Sequence, residues 1–435
     1  MSMTAEVRLW GRTIGAVTLD EGSRIADFQY ADNFADSGIE LAPLVMPLSN
    51  KPYRFPNLSY ETFNGLPGML ADSLPDKYGN ALINAWLARD GRSPESFTAV
   101  ERLCYTGKRG MGALEYRPVK GPRARRSSDI QLGKLVSLAS EILSQRSDMT
   151  ADFATGKREQ ALRDILQVGT SAGGARAKAV IAWNPMTGQV RSGQVKTDPG
   201  FQYWLLKFDG VQNNRDRELA DPKGYGAIEF AYSKMAQDAG IAMSECKLLE
   251  ENGRRHFMTQ RFDRMNNGKK LHVQTLGAIA HLDYNQAGAH GYEEAFLVMR
   301  KLRLSTSEIE QAFRRMVFNI IAQNQDDHVK NIAFIMDENG TWALAPAYDV
   351  TYSYDPNGLW TGKHQMTMNG KQNDFSLDDF EVCSETAMLK RGRYKHIIQE
   401  VDTVVSRWAD YADEVQVNPK QRDQIQKTLR VGRFL

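Results

Sequence analysis

The chain has 435 residues, of which 42% are hydrophobic and 25% are charged; these ordinary globular values exclude a largely disordered or low-complexity protein. Its length exceeds that of a usual single hydrophobic core, so two or three subdomains are expected. The formal net charge of +2 is too small to indicate a nucleic-acid partner by itself.

Cysteine usage and hydropathy bear on the compartment in which the protein works. The three cysteines, Cys104, Cys246 and Cys383, are far apart and lack a CxxC spacing, which argues against a disulfide framework or a cysteine zinc site. The first residues lack a continuous apolar core, and no later stretch offers the roughly 20 apolar residues of a membrane span. We therefore expect a cytoplasmic protein without a membrane partner.

The first part of the chain is predicted to mix strands and helices. Short alternating runs over residues 7–19 predict a β-hairpin, and apolar spacing over residues 70–89 predicts a helix. Residues 107–112 are predicted to form a turn-rich connection. Residues 120–128 combine turn formers with four basic side chains and show no apolar period, so we place the main boundary there.

The middle of the chain begins with helical patterns and then becomes rich in strands. Helices are predicted over residues 130–145 and 158–167, followed by a Gly-rich segment at 169–178 and a strand over 179–183. The next predicted elements are a strand over 203–208, a helix over 224–239 that Gly240 could cap, and a hairpin over 247–262 around Glu251-Asn252-Gly253.

From about Gly291 onward, helical patterns dominate. The strongest covers residues 305–323, where Ser305 and Glu308 have the spacing of a capping box. Residues 332–347 then alternate around Asn339-Gly340, which predicts a second hairpin.

The most informative stretch is Asn324-Gln-Asp-Asp-His-Val-Lys-Asn331, followed after the predicted hairpin by Asp349. Phosphoryl transfer needs a carboxylate to accept the proton of the attacking hydroxyl, and oxygen ligands to hold Mg²⁺ against ATP phosphates. Asp326 and Asn331 have the Asp-x-x-x-x-Asn spacing of a kinase catalytic loop. We predict that Asp326 is the catalytic base and that Asn331 and Asp349 bind Mg²⁺.

Two other interpretations of this stretch are open. Aspartate and asparagine often cap and turn the chain after a helix, so these residues could be structural. Alternatively, Asp327 and His328 could bind a hydrolytic metal together with His281 and Asp283. The histidines lack the spacing of a metal site, which favours a His328 that hydrogen-bonds the catalytic loop.

Candidates for phosphate contact precede the catalytic stretch. Lys207, on a predicted strand, is placed in chain order to pair with the α and β phosphates of ATP, although an ordinary strand-edge lysine is the alternative. Glu229 could pair with Lys207, but a solvated glutamate on a helix face is favoured. Gly173 and Gly174 permit close backbone approach to phosphate, although a flexible loop is the alternative.

Together these segments resemble the HipA family of bacterial toxin kinases, the serine/threonine kinases of type II toxin–antitoxin modules. The resemblance covers most of the chain and includes Leu66-Pro-Gly-Met-Leu-Ala-Asp-Ser-Leu-Pro-Asp76 and Gln260-Arg-Phe-Asp-Arg264. It implies an α+β, two-lobed protein-kinase-like fold with an N-terminal β-rich subdomain and a mostly helical C-terminal lobe. The predicted parts are residues 1–120, 121–262 with the Gly-rich loop and ATP lysine, and 263–435 with the catalytic loop.

The resemblance also implies roles for individual residues. Gln260 and Phe262 match the adenine-hinge segment, and Ser171 matches a loop serine whose autophosphorylation expels the loop and silences the kinase. Thr170 is the alternative hydroxyl. Arg176 stands where a glutamine is common in the family. The other expected ATP-binding residues are Lys207, Gly173, Gly174, Lys178, His328 and Lys330.

In this family the usual partner is a helix-turn-helix antitoxin of the HipB type, which brings the toxin to operator DNA, and the known substrates are aminoacyl-tRNA synthetases. The resemblance therefore implies a kinase that uses ATP and Mg²⁺ to phosphorylate a protein and inhibit translation.

Two alternatives to a toxin kinase remain open. One is a corepressor that binds DNA with the antitoxin and has weak or no kinase activity; the basic segments 123–126 and 390–396 could contact phosphates, although solvated basic faces are the commoner explanation. The other is a phosphotransferase that acts on a small molecule, which would share the ATP site and differ in the acceptor pocket.

Overall fold

The computed structural model describes residues 2–89, 91–120, 135–137, 139, 176–194, 197–210, 224–265 and 268–435. The chain forms two compact units. The first comprises Met1–Lys223, Leu249–Val273 and Met336–Gly340, and the second comprises Gly224–Leu248, Gln274–Ile335 and Thr341–Leu435. The three-part division expected from the sequence stays a prediction, because its first boundary lies almost wholly outside the described residues.

The first unit opens with four antiparallel strands: β1 (Met3–Leu9), β2 (Arg12–Leu19), β3 (Asp27–Tyr30) and β4 (Leu114–Arg117). Their order in the sheet is β3-β2-β1-β4. Trp10 and Gly11 have positive φ angles of 47° and 82°, as a tight two-residue hairpin turn requires. Ala5, Val7 and Leu9 are buried, so alternation sets the register. The predicted N-terminal hairpin is confirmed.

The helices with defined bounds in the described part of this unit are α1 (Asp32–Ala35), α2 (Tyr60–Phe63), α3 (Gly68–Ala71), α4 (Lys77–Arg89) and α5 (Ala99–Thr106). The single helix predicted over residues 70–89 is divided between α3 and α4. Pro75 explains the break, because proline has no backbone N–H and disfavours helical geometry at the residue before it. Residues 135–137 and 139 are helical as expected, whereas the predicted helix at 158–167 lies outside the described residues.

A second sheet contains β5 (Lys178–Trp183), β6 (Val190–Ser192), β7 (Gln202–Lys207), β8 (Cys246–Glu251) and β9 (Arg254–Gln260). Its strand order is β6-β5-β7-β9-β8. Ala179, Val180 and Ile181 are all buried, which is expected for a strand covered on both faces. Asn252 and Gly253 have positive φ angles and form the turn between β8 and β9, so the predicted hairpin is confirmed.

Helices dominate the second unit. They are α6 (Tyr225–Asp238), α7 (Leu276–Ala280), α8 (Tyr292–Lys301), α9 (Thr306–Ile321), α10 (Leu377–Thr386), α11 (Arg393–Val405), α12 (Trp408–Glu414) and α13 (Pro419–Gln426). A three-stranded sheet has the order β10 (His272–Thr275), β11 (Ala333–Met336), β12 (Trp342–Leu344), with the turn between the last two at Asn339-Gly340. Among the described residues, none of the helices has both the length and the hydropathy that a membrane-spanning helix requires.

The helix that leads into the catalytic stretch, α9, begins as predicted. Ser305 Oγ accepts the backbone N–H of Glu308, and the Glu308 carboxylate accepts the backbone N–H of Ser305 at 2.8 Å. These reciprocal bonds satisfy two N–H groups that the helix itself leaves unpaired. The capping box therefore fixes the start of the helix whose other end carries the catalytic stretch.

We expect Ser305→Ala to lower the free energy of unfolding by about 1 kcal/mol, because a capping hydroxyl is lost. The matched control is Thr306→Ala, an exposed hydroxyl in the same turn, for which a change within about 0.5 kcal/mol is expected. Chemical denaturation measures both. Equal losses in the two variants would show that the cap contributes nothing specific.

Candidate active site

The predicted catalytic stretch, residues 324–331, follows α9 and is held beside the segment that follows Asp349. The backbone N–H of Gln325 donates to the carbonyl of Ser353 at 3.2 Å, and the N–H of Ser353 donates to the carbonyl of Gln323 at 3.1 Å. Gln323 itself has a left-handed φ of 58°. These two bonds bring two segments that are separated in sequence side by side within the second unit.

Asp326 is held at both its side chain and its backbone. The Trp360 indole Nε1–H donates to Asp326 Oδ1 at 2.7 Å. The Asn331 side-chain N–H donates to the carbonyl oxygen of Asp326 at 2.6 Å, so the amide oxygen of Asn331 points away from this bond and can serve as a cation ligand. The Asp-x-x-x-x-Asn spacing therefore closes a tight loop with a carboxylate and an amide oxygen on it.

His328 and Lys330 complete this loop. His328 Nδ1 accepts the backbone N–H of Lys330 at 3.2 Å, which leaves the proton of a neutral ring on Nε2. That Nε2 atom lies 3.7 Å from Asp326 Oδ1. The Lys330 ammonium lies 4.6 Å from the centre of the Tyr284 ring, and the Tyr348 hydroxyl donates to the Lys330 carbonyl. The structural role predicted for His328, a hydrogen bond within the loop, is confirmed.

Asp349 adopts a left-handed φ of 55°, a conformation that a residue with a Cβ holds at a cost of order 1–3 kcal/mol and that is enriched at functional sites. Asn331 and Asp349 line one cavity of about 30 Å³. A cavity of this size can hold a water molecule, since about 10–15 Å³ suffices for one. The two predicted Mg²⁺ ligands are thus brought together.

The donor chemistry of this pair fits Mg²⁺. An amide oxygen and a carboxylate are hard oxygen ligands, and Mg²⁺ in phosphoryl-transfer sites is usually bound by one or two carboxylates together with substrate phosphates. Among the residues that the structure describes, no group of three or more His, Cys, Asp or Glu side chains could hold a metal ion. Asn331 and Asp349 are therefore compatible with a Mg²⁺ site whose other ligands come from the nucleotide. A metal site built wholly from His, Cys, Asp or Glu side chains is not found among the described residues.

Asp327, next to the predicted base, has a different environment. Its carboxylate is buried and accepts the Tyr292 hydroxyl at 2.6 Å, the Gln365 backbone N–H at 2.7 Å and His364 Nδ1–H at 2.8 Å. Burial opposes ionisation, yet His364 and these donors hold the pKa of Asp327 below its usual value. The alternative that uses Asp327 as a hydrolytic metal ligand is not supported, because its oxygens are occupied by hydrogen-bond donors.

His364 extends this network to the C-terminal segment. Because His364 Nδ1–H donates to Asp327, the Nε2 atom of a neutral ring accepts a hydrogen bond, and Arg430 Nη1 lies 3.1 Å away. The backbone N–H of Arg430 donates to the carbonyl of Ile321 at the end of α9. The network therefore ties the catalytic stretch to the end of the preceding helix.

Lys207 and Lys178 stand opposite each other in the antiparallel pair β5–β7 of the second sheet. The Lys178 ammonium is buried and lies 3.2 Å from the carboxylate of Asp76. Lys207 is half-buried, with its ammonium 5.9 Å from the Phe257 ring centre. The charge of Lys178, a predicted nucleotide contact, is therefore compensated by a buried carboxylate.

Glu229 differs from its favoured interpretation as a solvated residue. It is only 1% exposed in α6, a helix with buried residues around most of its circumference. A carboxylate at this depth requires compensating partners, so this expectation was wrong.

The predicted adenine-hinge residues Gln260 and Phe262 are half-buried, and they alternate with the buried residues Arg261 and Asp263. Asp263 accepts two hydrogen bonds from Arg261, at 2.9 and 2.7 Å, one from Arg264 at 2.6 Å and one from the Gly112 backbone N–H at 2.7 Å. We name Arg261, Asp263 and Arg264 the hinge triad.

The hinge triad holds a loop that is distant in sequence. Arg264 donates to the carbonyls of Gly110 at 2.9 Å and Gly112 at 3.0 Å. Burial raises the pKa of Asp263, but the two guanidinium groups outweigh it and keep that pKa well below its usual value. The predicted turn-rich connection at residues 107–112 is thus attached to the hinge segment within the first unit.

The basic segment at 390–396 is partly neutralised. Arg393 pairs with Glu310 at 2.8 Å and with Glu400 at 3.0 Å, which raises the pKa of its guanidinium. Lys390, Arg391, Lys395 and His396 are exposed. The other basic segment, 123–126, lies outside the described residues, as do Thr170, Ser171, Gly173 and Gly174 of the Gly-rich loop.

The sequence patterns missed Trp360, Tyr292, His364 and Arg430. Trp360, Tyr292 and His364 contact the two aspartates from other parts of the chain, and Arg430 contacts His364. No local spacing could have shown these contacts. The sequence did contain one relevant signal, the adjacent pair Asp326 and Asp327. Where one member of such a pair is buried, only the other can face solvent and act as a base.

Two family models match the chain. The HipA N-terminal domain matches residues 5–117, and the HipA-like C-terminal domain matches residues 170–408.

Three curated relatives, each named "Putative kinase", match parts of the chain. One from Haemophilus influenzae is 28% identical over 159 residues, which are 33% of this chain and 46% of the relative. Y4dM of Sinorhizobium fredii is 26% identical over 163 residues, which are 34% of this chain and 36% of the relative. Y4mE of the same organism is 23% identical over 126 residues, which are 27% of this chain and 30% of the relative. The chain spans less than half the length of these relatives.

A solved structure, described as the Shewanella oneidensis MR-1 toxin–antitoxin system HipA, HipB and its operator DNA complex, matches with a TM-score of 0.69 at 15% identity. The match covers 99% of this chain and 97% of that chain, which confirms the predicted protein-kinase-like fold. The C-terminal family model alone covers more than half of the sequence. The chain belongs to the HipA family.

Proposed function

We propose that the protein is an ATP- and Mg²⁺-dependent serine/threonine kinase that phosphorylates a protein. The observation that carries this proposal is the geometry of one loop: the Asn331 amide holds the backbone of Asp326, and Asn331 lines the same small cavity as Asp349. The three curated relatives, each named as a kinase candidate, support the general class of activity.

Each of these residues would have a distinct task. Bound Mg²⁺ would neutralise charge on the ATP phosphates. The Asn331 amide oxygen and the Asp349 carboxylate would hold that cation, and the Asp326 carboxylate would orient the attacking hydroxyl of the substrate and accept its proton. His328 and Lys330, on the same loop, would contact the nucleotide phosphates.

The family resemblance implies further nucleotide contacts. Lys207 would contact ATP phosphates, and Gln260 and Phe262 would contact the adenine. Lys178 would support this site while it is paired with Asp76. The backbone at Gly173 and Gly174, outside the described residues, would approach the phosphates.

Regulation by autophosphorylation is also proposed. Ser171, or its neighbour Thr170, would accept phosphate, and a dianionic side chain could no longer occupy a position beside the ATP phosphates. The modified loop would therefore leave the nucleotide site and switch the kinase off.

The partners follow from the family. We propose a HipB-like helix-turn-helix antitoxin, contact with operator DNA through that complex, and a substrate in translation, with an aminoacyl-tRNA synthetase as the candidate. The solved relative contains HipA, HipB and operator DNA, which supports the first two partners.

A corepressor is the second candidate function. The exposed side chains of Lys390, Arg391, Lys395 and His396 favour it, because such groups can contact DNA phosphates. In that case, operator binding by the antitoxin complex would not require phosphoryl transfer.

Loss of one Mg²⁺ ligand tests the proposed kinase. We expect Asp349→Asn to lower phosphate incorporation into the protein on the order of 100-fold or more, because stabilisation of phosphate charge is lost. Intact-mass and phosphosite analysis after incubation with ATP and Mg²⁺ measures this. Chelation of Mg²⁺ in the wild type should have the same effect.

Asp410→Asn, a surface carboxylate paired with Arg407, is the control and should react like the wild type. A wild type that neither binds ATP nor gains phosphate would refute the kinase and favour the corepressor. ATP turnover without protein phosphorylation would favour a small-molecule substrate.

A further inference from the structure

The loop around Trp360 is braced by its own hydrogen bonds. The backbone N–H of Gly358 donates to the carbonyl of Asp355 at 2.9 Å, that of Gly362 donates to the carbonyl of Gly358 at 3.1 Å, and that of Asp355 donates to the carbonyl of Thr361 at 3.3 Å. A Cβ on Gly362 would lie 2.6 Å from the Gly358 carbonyl oxygen, so the turn requires glycine there. Trp360 is thus presented by a compact loop.

This loop exposes one apolar side chain and turns the other inward. Leu359 is 98% exposed, whereas Trp360 is half-buried and donates its indole N–H to Asp326 Oδ1. Trp360 is not a core residue, so packing alone does not account for its position. Its side chain makes the bond to the predicted base, and its ring lies 6.3 Å from the ring of His328, centroid to centroid.

A closed ring of contacts fixes this bond. The Gln365 side-chain amide donates to the backbone carbonyl of Trp360, and the Gln365 backbone N–H donates to Asp327 Oδ1 at 2.7 Å. Asp327 is bonded covalently to Asp326, and Asp326 accepts the Trp360 indole. This closed set of contacts therefore holds both Trp360 and Asp326, and so fixes the distance between the indole and the carboxylate.

We propose that Trp360 is a positioning residue that orients the Asp326 carboxylate for proton acceptance. A donor on Oδ1 restricts rotation of the carboxylate about its bond to Cβ, so that Oδ2 has a defined direction towards the substrate hydroxyl. In phosphoryl transfer that hydroxyl oxygen forms a bond to the γ-phosphorus, the bond to the ADP oxygen breaks, and the hydroxyl proton passes to Asp326. This inference rests on the proposed kinase function.

Trp360→Phe tests the inference, because it keeps an aromatic ring and removes the N–H donor. We expect the first-order rate of phosphate incorporation at saturating ATP to fall about 10- to 100-fold, by analogy with the loss of a hydrogen-bond partner that orients a metal-binding side chain. ATP affinity and KM for ATP should stay within twofold of the wild-type values. A merely structural role would not separate the rate from ATP binding in this way.

The matched control is Trp408→Phe in α12, which also removes one indole N–H bond, here to the carbonyl of Arg422 at 3.0 Å. It should lower Tm without changing the rate per folded molecule. A wild-type rate in Trp360→Phe would overturn the proposal. The proposal would also be overturned if the rates of both variants fell only in proportion to their loss of folded protein.

A spectroscopic measurement separates this inference from the kinase proposal. In protein labelled with ¹⁵N-tryptophan, the indole signal that disappears in Trp360→Phe should shift upfield in Asp326→Asn, because the N–H then faces a neutral acceptor. An upfield shift in Asp326→Asn, found together with a wild type that shows no phosphoryl transfer, would refute the kinase and keep the contact. An unshifted signal would overturn the positioning role even in an active kinase.

Discussion

Asp326→Asn is expected to slow phosphoryl transfer by about 10²- to 10⁴-fold, the usual contribution of a positioned general base. Asparagine has nearly the same shape, and its amide oxygen can still accept the Trp360 indole N–H that the wild-type carboxylate accepts. It cannot accept the proton of the substrate hydroxyl. ATP affinity should therefore be nearly unchanged, which calorimetry with ATP and Mg²⁺ measures alongside phosphate incorporation.

The neighbouring residue provides the contrast. Asp327→Asn places an amide N–H against the donors Tyr292 and His364, so we expect a loss of about 1–3 kcal/mol in the free energy of unfolding. Asp326→Asn should leave stability close to that of the wild type. A rate within threefold of wild type in Asp326→Asn would show that Asp326 is not the base.

The sequence predicted those parts of the site that depend on local spacing. Asp326 and Asn331 are five residues apart and meet through a side-chain to backbone bond. Asp349 follows a hairpin whose Asn-Gly turn is a strong local signal. The capping box at Ser305 likewise lies within a single turn of helix. In each case, the interacting residues are neighbours in sequence, so residue type and spacing carry the information.

Long-range contacts could not be predicted in this way. Trp360, Tyr292 and His364 reach the two aspartates from 34 to 37 residues away, and no periodic pattern connects them. The pattern of charged residues also led to wrong expectations about exposure and pairing. Glu229 is buried rather than solvated, and Arg393 of the basic segment is paired with two glutamates. Burial and pairing depend on tertiary packing, which a charge pattern does not record.

The hinge triad is the strongest case of such a contact. Asp263 bonds to Gly112 across 151 residues of sequence, yet the sequence showed Gln260-Arg-Phe-Asp-Arg264 only as a segment of resemblance. Phe262 and Asp263 lie in a turn directly after β9. Arg261 and Asp263 are buried while Gln260 and Phe262 are half-buried, so the triad would fix the orientation of the two predicted adenine contacts.

Asp263→Ala is expected to lower the free energy of unfolding of the first unit by about 3–5 kcal/mol, because it leaves the buried guanidinium groups of Arg261 and Arg264 without their carboxylate. The matched control is Asp27→Ala, which breaks the exposed pair with Arg54 and should cost at most about 1 kcal/mol. Thermal and denaturant unfolding measure both losses.

The same carboxylate makes the stability of the first unit dependent on pH. Because the pKa of Asp263 is lower in the folded than in the unfolded state, its contribution is fully present above the unfolded value of about 3.9 and is lost as the pH falls below it. Wild type and Asp263→Ala should therefore differ most near neutral pH and converge in acid. Equal stabilities of Asp263→Ala and Asp27→Ala at neutral pH would contradict the assigned role of the hinge triad, since a buried carboxylate between two guanidinium groups cannot be removed at the cost of an exposed one.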